Sequence, residues 1–209
     1  MSKKNERNTK GKIINAAWNL FYEQGYDNTT VEEIIDASVT SKGSFYHYFE
    51  GKDALLGSLS YIFDEEYERL QNTFPDGMSS FEKLLYLNGE LFLMIEDRID
   101  IDLLTRLYST QLITKGEKHL LDNKRLYYKL LKQIVSEGQT GGELTNEMTA
   151  NEIVKLYAVC ERSLIYDWCL CRGEYSLTGY AKKTMPLFLS GIRIWIRIAF
   201  KWREQRKHY

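Results

Sequence analysis

Proline is nearly absent from this chain, and this scarcity restricts the folds that the chain can adopt. Pro75 and Pro186 are the only prolines among 209 residues. Long segments place apolar residues at the 3.6-residue period of an α-helix, and hardly any segment alternates as a strand would. Apolar residues make up 44% of the sequence, which is enough for an ordinary hydrophobic core. The sequence therefore predicts an all-α protein of one or two domains.

A capping signature marks a short helix within residues 29–56, the most informative stretch of the chain. Thr30 is followed three residues later by Glu33, a pattern in which each side chain accepts a hydrogen bond from the other residue's backbone N–H. A helix is therefore predicted over residues 31–38. The small and β-branched residues 38–41 then interrupt the period and predict a tight turn.

A second short helix is predicted over residues 42–48, with Ser41 as its cap. Phe45 and Phe49, spaced i and i+4, form its one apolar stripe. The rest of its surface is small, hydroxylated or basic, and it suits the major groove of DNA. An amphipathic helix over residues 9–24 precedes both and is expected to support them.

These segments closely resemble the DNA-binding region of the TetR family of bacterial transcriptional regulators. The family pattern runs Thr-Val, an acidic residue before Ile, Ala-Gly-Val, Ser-Lys-Gly-Thr-Leu-Tyr, Tyr-Phe, Lys and Leu-Leu. The chain matches it at Thr30, Val31, Glu33, Ile34, Ser41, Lys42, Gly43, Tyr46, Tyr48, Phe49, Lys52, Leu55 and Leu56. It departs at Val39, where the family commonly has glycine. If that position keeps a positive φ, the valine is strained by about 1 kcal/mol or more.

The resemblance implies a fold and a function. It implies a three-helix DNA-binding domain with a helix-turn-helix over residues 1–51 and a larger helical ligand-binding and dimerisation domain over residues 52–209, connected by a helix over 52–74. The implied function is that of a sequence-specific transcriptional regulator. We expect a repressor that binds an inverted-repeat operator as a homodimer and is released by a small-molecule effector.

Residue type and resemblance together predict the DNA contacts. Tyr46, Tyr48 and Lys52 are expected to hold phosphates, and Lys42, Ser44 and His47 to face base edges. A lysine in the first turn of a helix opposes the helix dipole, so a bound phosphate is the better explanation for Lys52. The full predicted set is Thr29, Thr30, Thr40, Ser41, Lys42, Gly43, Ser44, Tyr46, His47, Tyr48 and Lys52.

The C-terminal part holds many hydroxylated aromatic residues, which can serve a ligand cavity or an ordinary core. The predicted pocket consists of Tyr86, Phe92, Tyr108, Tyr127, Tyr128, Tyr157 and Tyr166. The alternative is that most of them are core residues with a hydroxyl group at the edge.

Two long apolar stripes, over residues 150–172 and 177–206, predict a four-helix interface between two subunits, because the family pairs through its last two helices. The alternative is that both stripes belong to the core of one subunit. The predicted interface consists of Ile153, Tyr157, Cys160, Leu164, Trp168, Leu187, Gly191, Ile194, Trp195 and Ile198.

The sequence argues against an enzyme, a metalloprotein and a membrane protein. No histidine has catalytic or metal-type spacing to other residues, and no glycine-rich phosphate loop follows a strand. Cys169 and Cys171 on one helix point about 200° apart and cannot share an ion. The apolar run 185–200 is short and contains two arginines, so a membrane span is not expected. We expect no cofactor.

Three cysteines fit a reducing cytoplasm, where we expect the protein to work. The net charge of -1 gives no overall attraction to nucleic acid, although the N-terminus is locally basic and is either a solvated arm or a phosphate contact. The main alternative function is a helical small-molecule-binding or adaptor protein without DNA binding. The intact Lys42, Gly43, Tyr46, Tyr48 and Lys52 set weighs against it.

Overall fold

The computed structural model describes residues 3–113 and 118–194, and in this part of the chain the regular structure is helical. The α-helices are α1 Lys3–Gln24, α2 Val31–Ser38, α3 Lys42–Tyr48, α4 Lys52–Leu56, α5 Leu59–Gln71, α6 Ser80–Arg98, α7 Ile101–Ile113, α8 Leu126–Thr140, α9 Ala150–Leu170 and α10 Leu177–Phe188. Two 3₁₀ helices, His119–Leu121 and Ser190–Ile192, lie between and after them. The predicted all-α class is confirmed.

The first three helices form a small unit in which α1 packs against both α2 and α3. Both short helices begin and end where the sequence predicts, because their caps form. The Thr30 hydroxyl accepts from the Glu33 N–H at 3.2 Å, and the Glu33 carboxylate accepts from the Thr30 N–H at 2.7 Å. The Ser41 hydroxyl accepts from the Ser44 N–H at 3.1 Å. Phe45 is fully buried beneath α3.

The predicted single helix over 52–74 is wrong, because the chain forms α4 and α5 with a turn at residues 57–58. Two contacts fix this break. A Cβ atom on Gly57 would lie 2.4 Å from Cδ2 of His119, so only glycine fits there without a shift of the histidine. The buried Ser58 hydroxyl accepts a hydrogen bond from Nε1 of Trp18, 2.8 Å away on α1.

The C-terminal helices surround α6 and α9. Helix α6 packs against α5, α8 and α10, while α9 packs against α7, α8 and α10. Both helices start with a complete capping box, at Ser79 and Thr149. Their inward faces supply much of the buried core.

The unbroken helix predicted over 177–206 is wrong, because the described residues 189–194 are not α-helical. Helix α10 ends at Phe188, and the Leu189 N–H closes its last turn by donating to Met185 O at 3.0 Å. The chain then pairs with the turn after α8: the Ile194 N–H donates to Glu143 O at 2.8 Å, and the Thr145 N–H donates to Ile192 O at 2.8 Å. Predicted interface residues Trp195 and Ile198 lie outside the described residues.

Candidate DNA interface and effector cavity

Helix α3 presents one buried and one exposed face. Phe45 and Phe49 anchor it, with ring centroids 5.8 Å apart. Lys42, Tyr46 and His47 are exposed on the outer side. The Lys42 ammonium lies 3.5 Å from the Glu32 carboxylate in a solvent-exposed pair, which contributes little to stability and leaves the lysine available to a stronger anion.

Neither the backbone conformation nor the packing of this chain requires glycine at position 43. A Cβ atom there would approach nothing closer than the Ser41 hydroxyl at 3.9 Å, and the residue lies inside a helix. Glycine in a helix costs about 1 kcal/mol relative to alanine. The reason for glycine therefore lies outside the described contacts of this chain, as expected where another molecule's backbone approaches closely.

The predicted serine and threonine contacts are largely engaged in local bonds. Thr40 bonds the Ser38 hydroxyl at 2.8 Å, and Ser41 and Ser44 bond each other at 2.9 Å. Thr30 is exposed but serves as the α2 cap. The predicted DNA contact at Thr29 is wrong. Thr29 is buried and its hydroxyl donates to Gly25 O at 2.8 Å, so it cannot reach DNA in this conformation.

Lys52 also has a different role from the one its position suggested. Its ammonium donates to Tyr26 O at 2.6 Å and to Thr29 O at 2.8 Å. It also lies 4.3 Å from the centroid of the Tyr26 ring. Lys52 therefore ties the start of α4 to the loop before α2, and it positions the helix-turn-helix rather than extending freely toward a phosphate.

The same tyrosine joins the DNA-binding unit to the C-terminal helices. The guanidinium group of Arg106, on α7, lies 4.9 Å from the centroid of the Tyr26 ring, which Lys52 also contacts. Arg106 also forms an ion pair with Asp27 at 2.6 Å. The Tyr26 hydroxyl donates to the Asp53 carboxylate. Burial and this carboxylate raise the pKa of Tyr26, so it stays a neutral donor.

The C-terminal helices line a partly open cavity of about 40 Å³. Its wall combines apolar side chains with polar ones from four helices and from the residue that precedes α8. The lining residues are Phe63, Tyr67, Leu91, Tyr108, Leu120, Arg125, Tyr127, Glu161, Arg162 and Ile165. Of the predicted pocket residues, Tyr108 and Tyr127 lie here.

The other predicted pocket residues lie elsewhere. Phe92 and Tyr157 are fully buried core residues, and the Tyr157 hydroxyl donates to Leu84 O at 2.9 Å. Tyr86 packs on Phe74, and Tyr166 is 46% exposed. A tyrosine at a helical position does not reveal whether its neighbours leave a space, so the pattern could not separate these cases.

Sequence reasoning missed the charged residues of the cavity. Glu161 is only 3% exposed and accepts from Tyr127 OH at 2.7 Å and from Asn88 Nδ2 at 3.1 Å. Burial raises the pKa of Glu161. Arg125 forms a shielded pair with Asp64 at 2.9 Å. One signal was available: Glu161 interrupts the apolar stripe of α9.

A basic groove of about 680 Å³ opens between α8 and α9 beside the cavity. Four cationic side chains line it: Lys129, Lys132, Lys155 and Arg162. Tyr128, another predicted pocket residue, lines this groove and accepts from Arg162 Nη1 at 3.3 Å. Arg162 lines both the groove and the cavity, so the two spaces are neighbours.

The predicted dimer stripe on α9 is wrong. Its members Ile153, Tyr157, Cys160, Leu164 and Trp168 are all buried within this one chain, so they cannot face a second subunit. A stripe at helical spacing marks a buried face, and the other helices of the same chain cover it.

Other apolar side chains of α9 and α10 are exposed. On α9 they are Val159, Tyr166 and Leu170, and near the end of α10 they are Leu187, 71% exposed, and Phe188. The predicted interface residues Gly191 and Ile194 are exposed as well. The five exposed side chains on the helices themselves are called the exposed apolar face of α9 and α10.

The geometry defines a helix-turn-helix DNA-binding protein with a helical C-terminal domain, and comparisons with known proteins agree. Residues 13–59 match the family described as bacterial regulatory proteins, tetR family, and residues 63–191 match the YsiA-like protein, C-terminal region. The chain belongs to the TetR family of bacterial regulatory proteins.

QacR, a helix-turn-helix transcriptional regulator of Staphylococcus aureus, is 30% identical over 141 residues, which cover 65% of this chain and 73% of QacR. FadR from Bacillus subtilis, solved in complex with stearoyl-CoA, superposes with a TM-score of 0.64 at 20% identity over 88% of this chain and 100% of FadR. FadR from Thermus thermophilus, solved in complex with lauroyl-CoA, superposes with a TM-score of 0.69 at 23% identity, over 90% of this chain and 96% of that FadR. Two relatives of higher identity match over only 24% and 33% of their own lengths.

Among the described residues, no helix is long and apolar enough to cross a membrane. The same residues contain no group of three or more His, Cys, Asp or Glu side chains arranged to hold a metal ion.

Proposed function

We propose that this protein is a transcriptional repressor that binds an inverted-repeat operator as a homodimer and releases it when an acyl-CoA binds the C-terminal domain. The observation that carries the DNA-binding part is helix α3, anchored by Phe45 and exposing Lys42, Tyr46 and His47. A helix that leaves Gly43 open to close approach, beside exposed donors, suits the major groove.

The dimer is supported by the exposed apolar face of α9 and α10. One α3 reads only a few base pairs, so selective binding requires two copies on two half-sites. The exposed Leu187 and Phe188 lie on the helix that the family uses for pairing, and pairing would remove this apolar surface from water.

The effector class is supported by the neighbouring cavity and basic groove. An acyl-CoA has an apolar chain and an anionic phosphate-bearing head, which match the aromatic cavity and the four cations of the groove. Relatives of this fold were solved with stearoyl-CoA and lauroyl-CoA. The cavity volume of about 40 Å³ is far below the roughly 300–1,000 Å³ of ligand pockets, so binding requires its walls to move.

One cavity wall continues to the α4–α5 break, and another continues to the loop before α2. Leu120 lines the cavity, and the preceding His119 packs on Gly57 at the α4–α5 break. Tyr108 lines the cavity from α7, which also carries Arg106 to the loop before α2. We infer that a ligand that displaces these walls changes the separation of the two α3 helices, which DNA fixes at about 34 Å.

The test uses a duplex selected from random DNA by the purified protein, titrated by fluorescence anisotropy. Lys42→Ala and Tyr46→Ala should weaken binding at least about tenfold, because each removes a contact on the exposed face of α3. Lys124→Ala, an exposed lysine in the loop before α8, is the matched control and should leave affinity unchanged. Parental affinity in both α3 variants would exclude α3 as the reading helix.

Coupling is tested by adding lauroyl-CoA to the same titration. It should weaken operator binding of the parent, and Arg106→Ala should reduce that effect while the affinity for lauroyl-CoA without DNA is kept. If no DNA sequence is selected but lauroyl-CoA binds, the alternative function, a helical small-molecule-binding protein, is the correct one.

A further inference from the structure

Several polar groups beside the cavity are paired with neighbouring side chains. Arg125 donates to Asp64 at 2.9 Å and 3.1 Å, and Tyr127 donates to Glu161 at 2.7 Å. Tyr67 of α5 lies against Tyr127, with ring centroids 5.0 Å apart. Its side chain is 1% exposed, and its hydroxyl has no hydrogen-bond partner among the described residues.

An unpaired buried hydroxyl is costly, because folding removes its hydrogen bonds to water and replaces them with none. Phenylalanine would fill the same space without that cost. Burial raises the pKa of Tyr67, so the group is a neutral phenol and able to donate. A costly donor on the wall of a cavity is explained when a ligand supplies the acceptor.

We propose that the Tyr67 hydroxyl is the hydrogen-bond donor for the thioester carbonyl of the bound effector. The proposal rests on the acyl-CoA effector proposed above. In an acyl-CoA the carbonyl stands between the anionic head and the apolar chain. Arg162 lines both the basic groove and the cavity, so a ligand that spans the two spaces brings its carbonyl to the cavity side of Arg162, where Tyr67 also lies.

Two ligands isolate this hydrogen bond: lauroyl-CoA, and S-dodecyl-CoA, a thioether of the same chain length without the carbonyl. Their affinities are measured by titration calorimetry with the parent and with Tyr67→Phe. The parent should prefer lauroyl-CoA by about tenfold, the value of one buried hydrogen bond. Tyr67→Phe should bind the two ligands equally.

The ligand-free protein gives a second readout, which a hydroxyl already paired inside the protein would not produce. Tyr67→Phe removes an unpaired buried hydroxyl and should raise Tm by roughly 2–4 °C. Tyr127→Phe is the matched control on the adjacent ring. It removes the donor to Glu161 and should lower Tm. All samples are compared at one protein concentration, because dimers melt at concentration-dependent temperatures.

The outcomes separate this inference from the proposed function. If lauroyl-CoA binds tightly and Tyr67→Phe keeps the parental preference, Tyr67 is not the carbonyl donor, and the effector class stands. A lower Tm for Tyr67→Phe means that the hydroxyl is already paired in the ligand-free protein, which also overturns the inference. If the parent binds neither ligand, both the acyl-CoA effector and this inference are wrong, while DNA binding remains to be judged by the anisotropy titration.

Discussion

Replacing Val39 with glycine should stabilise the protein, although it removes a side chain. Val39 ends α2 with φ 52° and ψ 47°, in the left-handed region. This conformation costs an L-residue about 1–2 kcal/mol, and β-branched residues are the least suited to it. The side chain is 87% exposed, so its removal gives up almost no buried area.

The expected size follows from two opposing effects. Relief of the left-handed strain contributes about 1–2 kcal/mol. The greater freedom of glycine in the unfolded chain costs about 0.4–1 kcal/mol. The net gain at position 39 is therefore between about 0 and 1.6 kcal/mol, and its midpoint of about 0.8 kcal/mol corresponds to a rise in Tm of roughly 2–3 °C for a chain of this size.

The assay is urea unfolding of the parent and three variants, with the midpoint and slope fitted for each. Val39→Asn should gain part of the stability, because asparagine tolerates the left-handed region better than valine. Ala37→Gly is the matched control: Ala37 is an exposed residue inside α2, where glycine should destabilise by about 0.5–1 kcal/mol. If Val39→Gly lowers the midpoint as Ala37→Gly does, the left-handed strain is not what limits this turn.

Three further predictions concern residues of the two sites. Gly43→Ala should raise stability by up to about 1 kcal/mol and weaken operator binding, which urea unfolding and anisotropy measure separately; unchanged DNA affinity would contradict close approach at this glycine. Arg125→Ala should cost about 3 kcal/mol by leaving Asp64 shielded and unpaired, whereas Lys42→Ala, which breaks a pair with Glu32 in which both side chains are 68% exposed, should cost less than about 1 kcal/mol in the same assay. Burial raises the pKa of Glu161 in the folded protein above the ordinary value of 4.5. The stability that protonated Glu161 contributes is therefore complete below pH 4.5 and is lost as the pH rises through the folded-state pKa. Glu161→Gln should not show this loss, and free energies of unfolding that stay parallel for parent and variant from about pH 4.5 to 8 would contradict it.

The helix-turn-helix was predictable because its determinants are local. The capping box of Thr30 and Glu33 and the Ser41 cap each join residues three apart, so the sequence itself contains both partners. A positive φ at Val39 was raised only as a condition, because the TetR family commonly has glycine there, and the structure has it at 52°. Local rules sufficed to give the bounds of α2 and α3.

The α4–α5 break and the role of Lys52 depend on residues far away in the chain. Gly57 needs the ring of His119, and Lys52 bonds carbonyls of residues 26 and 29. Nothing within one helical turn of either residue reveals these partners, so periodicity predicted an unbroken helix.

The cavity and the subunit interface could not be separated from the core by pattern alone. The stripe containing Ile153 and Leu164 indicates a buried face and does not say whether the same chain or a second copy covers it. The pair of Arg125 and Asp64 joins residues 61 positions apart, and no spacing rule reaches that distance.

Native mass spectrometry of the protein with DNA from upstream of its own gene can show whether two copies of this chain hold one operator and whether an acyl-CoA releases it. We expect a complex of one duplex with two 24.6 kDa chains, which lauroyl-CoA converts to free duplex and ligand-bound dimer. A complex with a single chain, or a two-chain complex that persists with lauroyl-CoA bound, would contradict it.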